Sequence, residues 1–63
     1  MSLRLVGFPD HFGSHDQRVY VNPECVAAIY KESGYTVIRL VDGSQPAVDA
    51  SVDEVAELLT RAD

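Results

Sequence analysis

The C-terminal segment that begins at Ser51 constrains the fold most, because it carries a readable helix start followed by helical periodicity. Ser51 and Glu54 have the spacing of a capping box, in which a serine oxygen and a glutamate carboxylate satisfy backbone N–H groups of the first turn. The residues after Ser51 that form one apolar stripe at helical spacing are Val52, Val55, Leu58, Leu59 and Ala62. A helix of about eleven residues can cover only one face of a small sheet.

Five segments before the helix have the composition of short strands. They are residues 3–8, 18–21, 26–31, 35–41 and 46–49, which are rich in β-branched, aromatic or other apolar residues and bounded by turn residues. Proline removes a backbone donor, so Asn22-Pro23 should end the second strand.

Two glycines predict tight turns between the later strands. Gly34 lies between the third and fourth strands, and Asp42-Gly43 is a strong hairpin signal because both residue types tolerate positive φ. The sequence therefore predicts one α+β domain over residues 1–63. We expect an antiparallel β-meander of four to five strands, open or curled into a partial barrel, followed by one C-terminal α-helix.

The strands are apolar on both sides, which a single helix cannot cover. Because side chains alternate along a strand, one set should face the helix: Val19, Val21, Ile29, Ile38 and Leu40. The opposite set is predicted to form a partner-binding surface: Tyr20, Tyr30, Tyr35, Val37 and Val41. Aromatic residues are enriched in protein interfaces, and large exposed apolar patches are unusual on monomers. The alternative is a barrel that buries both sets.

The length of 63 residues is near the lower limit for a self-sufficient hydrophobic core. Cys25 is the only cysteine, so no disulfide can form within one chain. The apolar run at residues 26–30 is far below the roughly 18 residues of a membrane span, and no apolar leader is apparent. We therefore expect a cytoplasmic protein without membrane insertion, stabilised as a homo-oligomer, dimer or higher, or by a heterologous protein partner.

The stretch FPDHFGSHDQ at residues 8–17 is the main candidate for chemistry. His11 and His15 are four residues apart, but Pro9 and Gly13 argue against the helix that would place them on one face. We interpret the stretch as a connecting loop with both histidines solvated. No positioned nucleophile accompanies them, and we interpret Cys25 as a buried small hydrophobic residue. The sequence thus predicts no catalytic residue, no metal, no cofactor and no enzyme activity.

A family resemblance covers roughly residues 19–59. The order VYVNPECVAAI, then YTVIRLVDGSQPAVDASVDEVAELL, resembles the FlbD-like family of small bacterial flagellum-associated proteins. The matching positions are Val21, Asn22, Pro23, Ile29, Thr36, Val37, Ile38, Leu40, Gly43, Val48, Ser51, Val52, Glu54, Val55 and Leu58. The resemblance implies the strand-rich fold and a flagellum-associated accessory role. Family members begin with a short strand, a tight turn and the next strand. In this chain residues 8–17 fill that place, which implies an expanded first hairpin loop.

Charge bears on the choice of partner. Ten acidic and five basic residues give a formal net charge of −5, and the basic residues are scattered. Nucleic-acid binding depends on neutralising phosphates with Lys and Arg, so nucleic acid is not the expected partner. We expect a non-enzymatic accessory module that self-assembles or binds a protein through its tyrosine-rich face. The alternative is a small nucleic-acid-binding β domain, similar to LytTR-type domains or Sm-like barrels.

Overall fold

A computed structural model describes residues 4–13 and 17–61 and shows five strands and one α-helix. The elements are β1 (Val6–Pro9), β2 (Arg18–Val21), β3 (Val26–Glu32), β4 (Tyr35–Leu40), β5 (Ala47–Val48) and α1 (Val52–Thr60). The strands form an antiparallel β1-β2 hairpin and an antiparallel β3-β4-β5 sheet, and they do not close into a barrel. The predicted α+β fold is confirmed.

The boundaries differ from the prediction mainly at the two ends of the fold. Strand β1 begins at Val6 and continues to Pro9, whereas residue 3 lies outside the described residues. Helix α1 ends at Thr60, because Arg61 leaves helical geometry with φ −62 and ψ 128. Ala62, the last predicted member of the apolar stripe, also lies outside the described part of the chain.

The break at Asn22-Pro23 forms a short 3-10 helix, Pro23–Cys25, which was not predicted. The Asn22 side chain caps it by accepting a hydrogen bond from the Glu24 backbone N–H at 2.9 Å. Asparagine commonly makes this type of local bond, and proline suits the first position of a helix. Cys25 at its end is half-buried rather than fully buried as the sequence suggested.

The two sheets are joined where the chain continues beyond β1. Asp10 forms an isolated bridge with Val48 of β5. His11 donates its backbone N–H to the Ala47 carbonyl at 3.0 Å, and Asp49 donates to the Pro9 carbonyl at 2.9 Å. Backbone hydrogen bonds therefore connect the strands in the order β2-β1-β5-β4-β3. The interpretation of residues 8–17 as only a connecting loop is corrected for Phe8 to His11.

The core lies between the joined sheets and α1. Its fully buried members come from both sheets and the helix: Phe8, Val21, Ile38, Val48 and Val55. The residues predicted to face the helix are all in this core or packed against it, as are Leu58 and Leu59. Thr36 is buried too, and its hydroxyl donates to the Ala50 carbonyl just before α1. The predicted division of the strands into two faces is thus confirmed on the helix side.

The start of α1 follows half of the predicted capping box. The Ser51 hydroxyl accepts a hydrogen bond from the Glu54 backbone N–H at 3.1 Å, and Ser51 has the extended backbone of an N-cap. Within the described residues the Glu54 carboxylate makes no return bond to Ser51. The serine oxygen is therefore the side-chain group that satisfies the first turn.

We expect Ser51→Ala to lower the free energy of unfolding by about 1 kcal/mol, because one backbone donor of the first turn loses its partner. Urea melts followed by circular dichroism measure the change. Ser33→Ala is the matched control, since Ser33 lies in the exposed β3-β4 turn, and it should shift the melt by no more than a few tenths of a kcal/mol. Equal effects of both substitutions would contradict the capping role.

The turn after β4 contains a perturbed carboxyl group. Gly43 has φ 95 and donates its N–H to the Leu40 carbonyl at 3.0 Å, so the predicted turn is present, with positive φ at Gly43 and not at Asp42. The Asp42 carboxylate accepts hydrogen bonds from the Ser44 hydroxyl and from the Ser44 backbone N–H, the latter at 2.9 Å. The bond from the Ser44 hydroxyl, with that from its backbone N–H, lowers the pKa of Asp42 below its ordinary value of 3.8.

Because the folded pKa of Asp42 is lower than the unfolded pKa, its contribution to stability is present above the unfolded pKa. It is lost as the pH falls through the folded pKa. We expect Ser44→Ala to raise the pKa of Asp42, because it removes the hydrogen bond from the Ser44 hydroxyl, which lowers the pKa more than the backbone bond does. An NMR titration of the Asp42 side-chain carboxyl carbon in both proteins measures this. An unchanged or lower titration midpoint in Ser44→Ala would show that the hydroxyl does not stabilise the carboxylate.

Candidate functional site

The side of the strands that points away from α1, here called the outer face, contains most of the predicted partner-binding residues. Strand register places Tyr30 opposite Val37 and Val37 opposite Ala47, while Glu32 lies opposite Tyr35. Directly opposed residues in antiparallel strands share a face. Tyr20 belongs to the same side of the β1-β2 hairpin, since its neighbours Val19 and Val21 face the core.

The large hydrophobic side chains that remain exposed collect on this outer face. They are Leu5 at 51%, Phe12 at 73%, Tyr20 at 61%, Tyr30 at 36% and Val41 at 69% exposure. Leu5 lies just before β1 and, by period-two counting, on the same side as Gly7. Val41 lies just after β4 and on the same side as Tyr35. The described part of α1 contributes no residue to this group. The apolar surface open to a partner is therefore one-sided.

Val37 is an exception among the predicted partner-binding residues, because only 6% of it is exposed. Its cross-strand partner Tyr30 reaches the Gln45 side chain on the other side of β4, with the Tyr30 hydroxyl 3.4 Å from Gln45 Oε1. The tyrosine side chain therefore crosses β4 beside Val37. The expectation that Val37 is exposed on the side away from α1 is therefore wrong: it lies on that side, between Tyr30 and Ala47 of the neighbouring strands, and is buried there.

Three rings, His11, Phe12 and Tyr35, form what we call the ring cluster on the outer face. The His11 ring stacks on Tyr35 with centroids 4.7 Å apart and an interplanar angle of 26°. Phe12 meets both edge-on, at 4.8 Å from His11 and 5.2 Å from Tyr35. Aromatic pairs in such arrangements stabilise a structure beyond the area they bury. The cluster therefore fixes residues 11 and 12 against β4 while Phe12 stays exposed.

His11 also forms a hydrogen bond with a carboxylate distant in sequence. His11 Nδ1 lies 2.5 Å from Asp49 Oδ1, and the His11 side chain is only 30% exposed. The interpretation of His11 as a solvated loop residue is therefore wrong, and its partner is Asp49 rather than the adjacent Asp10. His15 lies outside the described residues. No local sequence signal pairs positions 11 and 49, because the bridge between β1 and β5 brings them together.

An open groove lies beside the ring cluster, between the β3-β4 turn and the start of α1. Its volume is about 550 Å³, and its lining includes Lys31, Tyr35, Asp49, Ser51 and Asp53. Ser51 Oγ in this lining is the atom that accepts the helix-capping hydrogen bond from the Glu54 backbone N–H. Among residues 4–13 and 17–61, no group of three or more His, Cys, Asp or Glu side chains could hold a metal ion.

Comparisons with known proteins add no family to this geometry. No family model, no curated protein and no solved structure matches the chain. Helix α1, with nine residues, is too short to cross a membrane, and the described part of the chain holds no other candidate span. The outer face and its ring cluster are therefore interpreted from their own chemistry.

We expect His11 and Asp49 to stabilise the protein as a pair. In a double-mutant cycle with His11→Ala and Asp49→Ala, the coupling free energy should be about 0.5–1 kcal/mol, because both side chains are partly exposed. Urea melts at pH 6 and low salt measure the four proteins. A parallel cycle of His11→Ala with Asp53→Ala is the control and should show no coupling. Equal coupling in both cycles would refute a specific pair.

Proposed function

We propose that this protein is a non-enzymatic interaction module that self-assembles or binds a protein partner through its outer face. The observation that carries the proposal is the collection of every large exposed hydrophobic residue of the described chain on that face. Four of the predicted residues, Tyr20, Tyr30, Tyr35 and Val41, belong to this surface. Phe12 is also part of this surface, whereas Val37 is buried within the same face.

The balance between apolar and charged groups supports the proposal. Monomeric proteins rarely expose large contiguous apolar patches, and aromatic residues are enriched in the buried centre of interfaces. The exposed side of α1 carries Asp53, Glu54 and Glu57 instead. Acidic residues keep that side in water, so association is directed to the outer face.

The size of the chain gives association a physical benefit. A domain of 63 residues buries a small share of its surface and is only marginally stable. A partner that binds the native state alone adds stability by mass action. We therefore propose that partner binding contributes to the stability of the folded protein as well as to its function.

The cellular setting belongs to the same proposal. The resemblance of residues 19–59 to FlbD-like proteins favours a flagellum-associated partner. A single cysteine, Cys25, suits the reducing cytoplasm because no intrachain disulfide is needed. The alternative of nucleic-acid binding has less support, since no cluster of basic residues accompanies the exposed aromatic residues of the outer face.

We expect the parent protein to sediment as a larger species with rising concentration, and the double variant Phe12→Glu with Val41→Glu to remain monomeric. Both positions are highly exposed, at 73% and 69%, so the new carboxylates should leave the core intact. The measurement is sedimentation velocity over a wide concentration series. Ser33→Glu with Thr60→Glu adds the same charge away from the outer face and should assemble like the parent.

A heterologous partner is tested with the same proteins. If the parent is monomeric throughout, self-assembly is excluded. Cross-linking in the native cell should then join the parent, and not the Phe12→Glu, Val41→Glu variant, to a defined protein. The proposal fails if the parent is monomeric and both proteins give the same cross-linked products.

A further inference from the structure

The β1-β2 hairpin holds two interface-type side chains, Tyr20 and Arg18, directly above Gly7. A Cβ atom at Gly7 would lie 2.8 Å from Tyr20 Cε1 and 3.3 Å from Arg18 Nε. Arg18 Nη2 also donates a hydrogen bond to the Gly7 carbonyl at 3.0 Å. A glycine inside a strand lowers the stability of the strand. Such a glycine often marks a place where another group lies close to the backbone. Here the missing side chain makes room for the Tyr20 ring and the Arg18 guanidinium.

Both side chains lie against Gly7 and are open to solvent. Tyr20 is 61% exposed, and Arg18 is exposed as well. Arg18 has five N–H donors, of which the Gly7 carbonyl occupies one, and it forms no ion pair within the described residues. Tyr and Arg are among the residues that dominate binding energy at interfaces. Side chains already fixed before binding lose less conformational entropy when a partner arrives.

The charge around this pair differs from that of the whole chain. Among the described residues of the hairpin, alternation places Leu5, Gly7, Pro9, Arg18 and Tyr20 on the outer side, and none of these five is acidic. The protein as a whole has a formal net charge of −5. Within the described residues Arg18 has no ion-pair partner, so its guanidinium can attract a carboxylate from another molecule. The planar guanidinium matches a carboxylate with two parallel hydrogen bonds.

We infer that the surface formed by Leu5, Arg18 and Tyr20 binds a protein segment that presents an Asp or Glu carboxylate beside an apolar side chain. The inference rests on the proposed function and names the partner chemistry for one part of the outer face. Arg18 receives the carboxylate, and the exposed Leu5 and Tyr20 side chains receive the neighbouring apolar group. Gly7 is a positioning residue, because it lets Tyr20 and Arg18 lie against β1.

The test uses a random peptide display library selected on the immobilised full chain. We expect the enriched peptides to share an Asp or Glu next to an apolar residue. Synthetic copies should bind Arg18→Gln about tenfold more weakly, the effect of losing one charge-assisted pair. Gly7→Ala should weaken binding similarly although it keeps both recognition residues, since the Tyr20 ring must move. Arg39→Gln makes the same charge change on the outer face and should bind like the parent.

Several outcomes would overturn the inference. These are no enriched peptide, enriched peptides without an acidic residue, equal loss of binding in Arg18→Gln and Arg39→Gln, or unchanged binding after the peptide carboxylate is replaced by an amide. Peptides that no longer bind the Phe12→Glu, Val41→Glu variant but still bind Arg18→Gln like the parent would overturn the inference. That result would leave the proposed function standing. Circular dichroism checks the fold of each variant. Arg18→Lys, which keeps the charge without the planar fork, serves if Arg18→Gln is unfolded.

Discussion

The pairing of the chain beyond β1 with β5 is the interaction on which the rest of the structure depends. Two backbone hydrogen bonds, which form the bridge between Asp10 and Val48, join the hairpin β1-β2 to the sheet β3-β4-β5. Without them, each sheet would have to bury its apolar side alone, which small hairpins do poorly in water. With them, Phe8 and Val21 from one sheet meet Ile38 from the other in one core beneath α1.

The same pairing builds the outer face. It brings His11 to Asp49 and stacks the His11 ring on Tyr35. Residues that would otherwise lie in a loop thus become part of the sheet surface. On the second side of β4, Tyr30 reaches Gln45 and Val37 is buried. The domain therefore buries part of its outer face without a partner. The apolar surface that remains is smaller, and Phe12, Tyr20 and Val41 are its most exposed members.

The outer face and the acidic helix give the protein two unlike sides. Apolar contact is non-directional, so a domain with aromatic residues on every side would associate in many ways. Acidic residues lie along α1, while on the other side the Tyr20 and Arg18 side chains lie close against Gly7. In the interaction that we propose, the arrangement of Tyr20 and Arg18 would let the outer face discriminate between partners as well as attract them.

The sequence by itself determined the local elements. Ser51 marks the helix start, the positive φ values of Gly34 and Gly43 follow from their residue type, and period-two alternation correctly assigned Ile29 and Ile38 to the core. These are short-range properties of the backbone and of adjacent side chains. Only the tertiary structure decided that β1 pairs with β5, that His11 meets Asp49 across 38 positions, and that Val37 is covered. Those outcomes depend on which distant strands become neighbours, and alternation within a strand carries no information about that choice.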